Sequence, residues 1–137
     1  MNLIQPNNAV ITEIRSNVML LPPGVLYFRR LDKPNKASVL CATELLLVES
    51  KTHNVRCLIW DIRNKIRLSG GIQVLILNQI PKLATHFDHV HVVWDESIAH
   101  SWKGTFVKRM PVFQKHVAFS FYTSIEDALT LARNQIA

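Results

Sequence analysis

Polar and apolar positions change their spacing several times along this chain, and each change marks an element. Val10 to Arg15 is rich in β-branched residues and predicts a first strand, which ends at Arg15 or runs on to Leu21. Pro22-Pro23-Gly24 predicts a tight turn into a second strand, Val25 to Arg30. Asp32 to Lys36, with Pro34 inside, reads as a turn into a helix. From Ala37 to about Lys51 the apolar residues Ala37, Leu40, Cys41, Leu45 and Val48 recur at helical spacing, and His53-Asn54 ends the helix. Val55 to Trp60 is apolar apart from Arg56, as expected of a strand covered on both faces, and it empties into Asp61.

The stretch from Ser69 to about Phe87 supports two readings. Ile72, Leu75, Ile76 and Ile80 have helical spacing, whereas Gln73 to Leu77 would make a strand on propensity alone. A helix kinked at Pro81 is adopted. Asp88 to Trp94 predicts a strand. Ser97 to about Met110 predicts a helix with Ile98, Trp102 and Phe106 on one side and Pro111 as its stop. His116 to Tyr122 predicts the last strand. Thr123-Ser124-Ile125-Glu126 has the form of a capping box led by Thr123. Ile125, Ala128, Leu129, Ala132 and Ile136 then line one face of a terminal helix. Strands alternating with helices predict an α/β layer. Its central mixed sheet would hold about five strands, the inner ones Val55 to Trp60 and Val90 to Trp94, with about four helices.

The 137 residues are expected to form a single domain, 1–137, with 1–8 as a flexible or extended lead. The apolar fraction of 48% and the charged fraction of 19% are those of a globular chain, which argues against disorder. The first residues carry no basic segment followed by an apolar one, so no signal peptide is expected. No run approaches the ~20 apolar residues of a membrane span. Cys41 and Cys57 sit in apolar patterns and read as free buried thiols, which suits a reducing cytoplasm. A disulfide between them would need a spatial coincidence that sequence does not specify. The net charge of +6 is scattered, with no run beyond the pairs Arg29-Arg30 and Lys108-Arg109. A nucleic-acid binder would show a denser stripe, so nucleic acid is not the expected partner. The excess charge gives a mild attraction for anions.

Three features of this order are similar to the STAS superfamily, and closest to its stand-alone bacterial SpoIIAA-like members. They are Val55 to Asp61 as a strand ending in Asp, Ser69-Gly70-Gly71-Ile72 opening a helix, and the ending Val117 to Tyr122 followed by Glu126-Asp127-Ala128-Leu129. The resemblance covers about Val10 to Ile136. It implies a STAS-like fold and a regulatory, protein-interaction role. In the phosphorylated antagonists of that superfamily a serine at a helix start, within an Asp-Ser-Ser-Gly type motif, carries the switch. Ser69 stands at that place here, but Arg67 and Leu68 precede it where the motif has an acidic residue.

Ser69 is first of all a helix cap, a role serine favours. Its functional reading is a phosphoacceptor, tolerated by the positive helix end and by Arg63, Lys65 and Arg67. Those three cations alternate, so in an extended loop they would project to one side. They form either a solvated loop or, with the amides of Gly70 and Gly71, an anion or partner-binding site. His86, His89 and His91 read as core or edge histidines rather than metal ligands, and no metal or other cofactor is expected. Asp95 and Glu96 are adjacent and do not form an opposed catalytic pair. No nucleophile elbow, P-loop or dinucleotide fingerprint is visible.

The expectation is a non-catalytic cytoplasmic module that docks a partner protein around the Ser69 helix start, as a monomer or homodimer. The alternative is a carrier of a lipid or small anionic ligand in a pocket between sheet and helices, lined by Trp102 and Phe106 with Lys103 at its mouth.

Overall fold

In a computed structural model of the chain, residues 8–64, 66–83, 85–94 and 118–136 are described. The first element corrects the sequence reading. Asn8–Ser16 is a helix, α1, and only Val18–Leu21 is strand, β1. The β-branched content of Val10, Ile11 and Thr12 suggested a strand, but spacing decides. Val10 and Ile14 are four apart and turn to one side, where Ile14 is fully buried, while Thr12 and Glu13 are exposed. Ser16 Oγ and Asn17 Nδ2 both donate to the Glu13 carbonyl, closing the helix end (2.7 and 2.8 Å).

The other elements follow in the expected order. A turn through Pro22 and Pro23 joins β1 to β2 (Val25–Arg29), and Gly24 supplies a φ of 148° that other residues rarely adopt. α2 (Lys36–His53) starts at a reciprocal cap between Asn35 and Ser38 and ends at Asn54 in the left-handed region. β3 is Cys57–Asp61. The ambiguous stretch is helical in two pieces, α3 (Gly70–Leu77) and the single turn α4 (Ile80–Leu83). The break falls at Asn78 and Gln79 rather than at Pro81. Pro81 lies in the first turn of α4, where a missing N–H costs nothing. β4 is His89–Val93 and β5 is Ala118–Tyr122. α5 (Ile125–Ile136) is capped by Ser124, not Thr123. The Ser124 hydroxyl accepts from the amides of Glu126 and Asp127 (3.2 and 3.4 Å). The helix expected from Ser97 to Met110 lies outside the described residues.

The five strands stand in sheet order β1-β2-β3-β4-β5. β1 is antiparallel to β2 and every later pair is parallel, so the sheet is mixed. Two parallel crossovers that step the same way must place their helices on the same face if both are right-handed. Accordingly α2, α3 and α4 share one face with α1, packing on Leu26, Phe28, Leu58, Trp60, Val90 and Val92. α5 covers the opposite face, where Ala128 and Ala132 meet Val25, Cys57, Ile59 and Val93. All five residues of β3 are buried, as the apolar run of Val55 to Trp60 requires. The register Cys57–His89, Ile59–His91 and Asp61–Val93 aligns the back-face side chains of β3 and β4.

Candidate functional site

The carboxyl ends of the parallel strands carry the loops, and in open α/β sheets this edge is where ligands and partners are met. The central feature there is Asp61, the last residue of β3, whose side chain falls on the α5 face beside Tyr27. Asp61 is 2% exposed, yet both of its oxygens are satisfied. Oδ1 accepts from the Arg63 amide and Arg63 Nε, each at 3.0 Å. Oδ2 accepts from Arg63 Nη2 at 2.9 Å and from the Tyr27 hydroxyl at 2.6 Å. Burial alone would push the Asp61 carboxyl up. The hydrogen bonds from Arg63 and Tyr27 outweigh it and hold the pKa below its ordinary 3.8. Burial and the bond to Asp61 push the Tyr27 hydroxyl the other way, up to about 12.

A second polar anchor lies on the opposite side of the same loop. Arg30, one residue past β2, is 5% exposed. Its guanidinium donates to the backbone carbonyls of Leu31 (2.9 Å), Asp32 (3.4 Å), Ile62 (3.4 Å) and Ile66. Asn64 joins the loop to its neighbour, donating to Asp32 Oδ1 at 2.6 Å and accepting the Ile66 amide at 2.8 Å. Further on, Gln73 Nε2 reaches back to the Leu68 carbonyl (3.1 Å), and the Ser69 hydroxyl accepts the Ile72 amide at 3.2 Å as the cap of α3. The loop that leaves β3 is therefore tied down at Arg63, Asn64, Ile66 and Leu68. What it presents outward is Ile66, 38% exposed, together with exposed Arg67, Ser69, Gly70 and Gly71.

This arrangement divides the residues that the sequence grouped as one anion site. Ser69, Gly70 and Gly71 stand together at the start of α3, with Arg67 just before them. Arg63 does not project with Arg67, because its guanidinium is bidentate on Asp61. Lys65 lies outside the described residues. So do Trp102, Lys103 and Phe106, expected to line a pocket.

A partly open cavity of about 50 Å³ does exist between sheet and helices, bounded by α2, α3, α4 and the front of β2 and β3. Its apolar wall includes Phe28, Ala42, Leu46, Leu58, Trp60 and Ile76, and its polar lining includes Arg30, Ser38 and Gln79. Gln79 is 6% exposed, and its Oε1 has no hydrogen-bond partner among the described residues. The sequence reading passed over Arg30 and Gln79. The available signal was a cation ending an otherwise apolar strand and an amide between two apolar helical turns.

Under α5 the back face holds a hydrogen-bonded chain. His91 is 1% exposed. Its Nε2 lies 2.8 Å from Gln135 Oε1 and its Nδ1 3.2 Å from the Tyr122 hydroxyl. A carbonyl oxygen only accepts, so Nε2 carries the proton and Tyr122 donates to Nδ1. Burial pushes the His91 pKa down, which suits this neutral tautomer. His89 stacks on His91 at 6.3 Å. Among the described residues no three of His, Cys, Asp or Glu gather closely enough to hold a metal. Cys41 and Cys57 are free thiols, and burial raises the pKa of Cys57 to about 11, away from the range of a reactive thiolate. No helix among the described residues is long and apolar enough to cross a membrane. Neither family models nor curated proteins nor solved structures match this chain at a significant level, so the site is defined by its own geometry.

Proposed function

We propose that this chain is a non-catalytic interaction module of STAS-like fold that docks an acidic partner protein in the cytoplasm through Ile66, Arg67, Ser69, Gly70 and Gly71. One observation carries the reading. The loop leaving β3 is held from both sides, by Asp61 with Arg63 and by Arg30, while a short apolar and cationic segment faces outward. A surface already fixed before binding loses little conformational entropy when a partner arrives. The α3 amides and Arg67 favour a negative partner, and Ile66 adds an apolar contact. The two free thiols suit a reducing compartment.

The test is an amide-resolved NMR titration of the full chain with a synthetic peptide of alternating Glu and Leu. Saturable shifts at residues 66–71, weakened by salt and lost in Arg67→Glu, are expected. Shifts elsewhere, or none, would overturn the reading.

A further inference from the structure

Arg30 and the front cavity have a chemistry beyond the holding of the docking loop. Four of the five guanidinium hydrogens are accounted for by the carbonyls of Ile62, Leu31, Asp32 and Ile66. No carboxylate lies within ion-pair distance of Arg30 among the described residues. Carbonyl dipoles satisfy hydrogen bonds but do not cancel a charge, and a buried cation without a counter-charge is costly. Burial accordingly lowers the Arg30 pKa, offset in part by Asp32, which is itself exposed. Arg30 itself lines a cavity whose other walls are mainly apolar.

We infer that the cavity between α2, α3 and the front of the sheet is a binding site for a short-chain aliphatic carboxylate, with its carboxylate on Arg30 and its chain among Ala42, Leu58, Trp60 and Ile76. Size sets the chain length. A cavity on the order of 150 Å³ accepts a benzene ring, and this one measures about 50 Å³. It therefore takes roughly two or three methylene-sized groups, which is the length of propionate or butyrate. Charge sets the head group. A guanidinium binds a carboxylate through directed hydrogen bonds as well as charge, whereas an alcohol gains only the hydrogen bond and an amine is repelled. Arg30 also holds the Ile66 carbonyl, so cavity occupancy is scored at the α2 amides of Ser38, Ala42 and Leu46, away from the peptide-docking surface at residues 66–71.

The experiment titrates the full chain with acetate, propionate, butyrate, hexanoate and octanoate, and with 1-butanol and butylamine as neutral and cationic counterparts of butyrate. Binding is read by NMR at the amides of Ser38, Ala42 and Leu46. Saturable shifts there are expected, with affinity rising about fourfold per added methylene up to butyrate and ceasing to rise by hexanoate. Butanol should bind at least about tenfold more weakly, the loss of one charge-assisted contact, and butylamine not at all. Ala42→Leu fills the cavity without touching Arg30 and should reduce butyrate affinity by about tenfold or more. Ala42→Val, a smaller change, serves if that variant does not fold. Absence of saturable shifts at these amides, equal binding of butyrate, butanol and butylamine, or butyrate affinity unchanged in the folded Ala42 variant would each overturn the assignment.

Discussion

Asp61 and Arg63, two residues apart at the end of the central strand, form a closed ion pair. The arginine donates its own amide and two guanidinium hydrogens to the two oxygens of a carboxylate that water hardly reaches. A folded-state pKa held below 3.8 means the unfolded chain binds a proton more readily than the native one. The stabilisation is therefore fully present above the unfolded value, near pH 4, and is lost as pH falls through the folded value. Asp61→Asn should lower stability at pH 7 by about 1–3 kcal/mol and flatten this part of the acid limb. Urea melts of both proteins between pH 7 and pH 2.5 measure it. An acid limb identical in the two would show that Asp61 does not carry it.

Removing the partner instead should have a different signature. Arg63→Ala leaves a buried carboxylate with the Tyr27 hydroxyl as its remaining side-chain donor, so burial then dominates and pushes the Asp61 pKa up. The variant should lose about 2 kcal/mol or more at neutral pH, as unpaired buried charges do, and recover part of it on mild acidification. Arg67→Ala, at an exposed position, should stay within about 0.5 kcal/mol of wild type. Denaturant melts at two pH values distinguish the two arginines, which the sequence presents as equivalent.

Tyr27 is the third member of the cluster and titrates at the other end of the scale. Its pKa, raised from 10 to about 12, favours the neutral hydroxyl in the native state. That contribution is complete below pH 10 and is lost as pH rises from 10 through 12. Tyr27→Phe keeps the ring and removes the 2.6 Å bond to Asp61, which should cost about 1.5–3 kcal/mol for a bond to a charged acceptor. Ultraviolet titration should show a phenolic step near pH 12 that is missing from the variant.

The layer architecture was legible because buried strands need long apolar runs. Leu58 and Ile59 in β3, and Val90 and Val92 in β4, are essentially inaccessible, as their sequence context required. α1 was misread because Val10 and Ile11 are β-branched. That property reports propensity, whereas the four-residue spacing of Val10 and Ile14 reports which side is buried. The candidate site was legible as a place but not as a geometry. Ser69, Gly70 and Gly71 fall where a strand-to-helix loop must put them. No motif specifies that Arg63 turns back to Asp61 instead of projecting with Arg67, and the Tyr27 hydroxyl that also meets Asp61 comes from 34 residues away. Arg30 was missed for a related reason. Its acceptors are backbone carbonyls, 32 and 36 residues distant at Ile62 and Ile66, which carry no side-chain signature.

His91 ties the terminal helix to the sheet and should make that contact sensitive to acid. Its pKa is lowered by burial from 6.5, so the native state favours neutral imidazole. The stabilisation is present above pH 6.5 and declines as pH falls below it through the folded value. Charging the ring would also turn Nδ1 from an acceptor into a donor, breaking the present arrangement with Tyr122. Amide hydrogen exchange along α5 should therefore accelerate below pH 6.5, after correction for intrinsic rates, while α2 changes less. His91→Gln should remove the difference. Equal acceleration in α2 and α5 would locate the sensitivity elsewhere.

Leu58 tests whether the central strand is the core of the domain. It is fully buried on the face covered by α2 and α3 and stands in register with Leu26 and Val90. Leu58→Asp removes roughly 1.5–3 kcal/mol of apolar burial and places a carboxylate where no donor is aimed, adding several kcal/mol or forcing its protonation. The sum is comparable with the ~5–15 kcal/mol that a domain of this kind holds in reserve, so the variant should lack a cooperative thermal transition. Ser69→Ala is the contrasting control. It removes one capping bond at an exposed helix start and should cost about 1 kcal/mol while leaving the transition cooperative. Calorimetry of the two variants beside the wild type decides. A cooperative, wild-type melt for Leu58→Asp would show that β3 does not occupy the centre of the sheet.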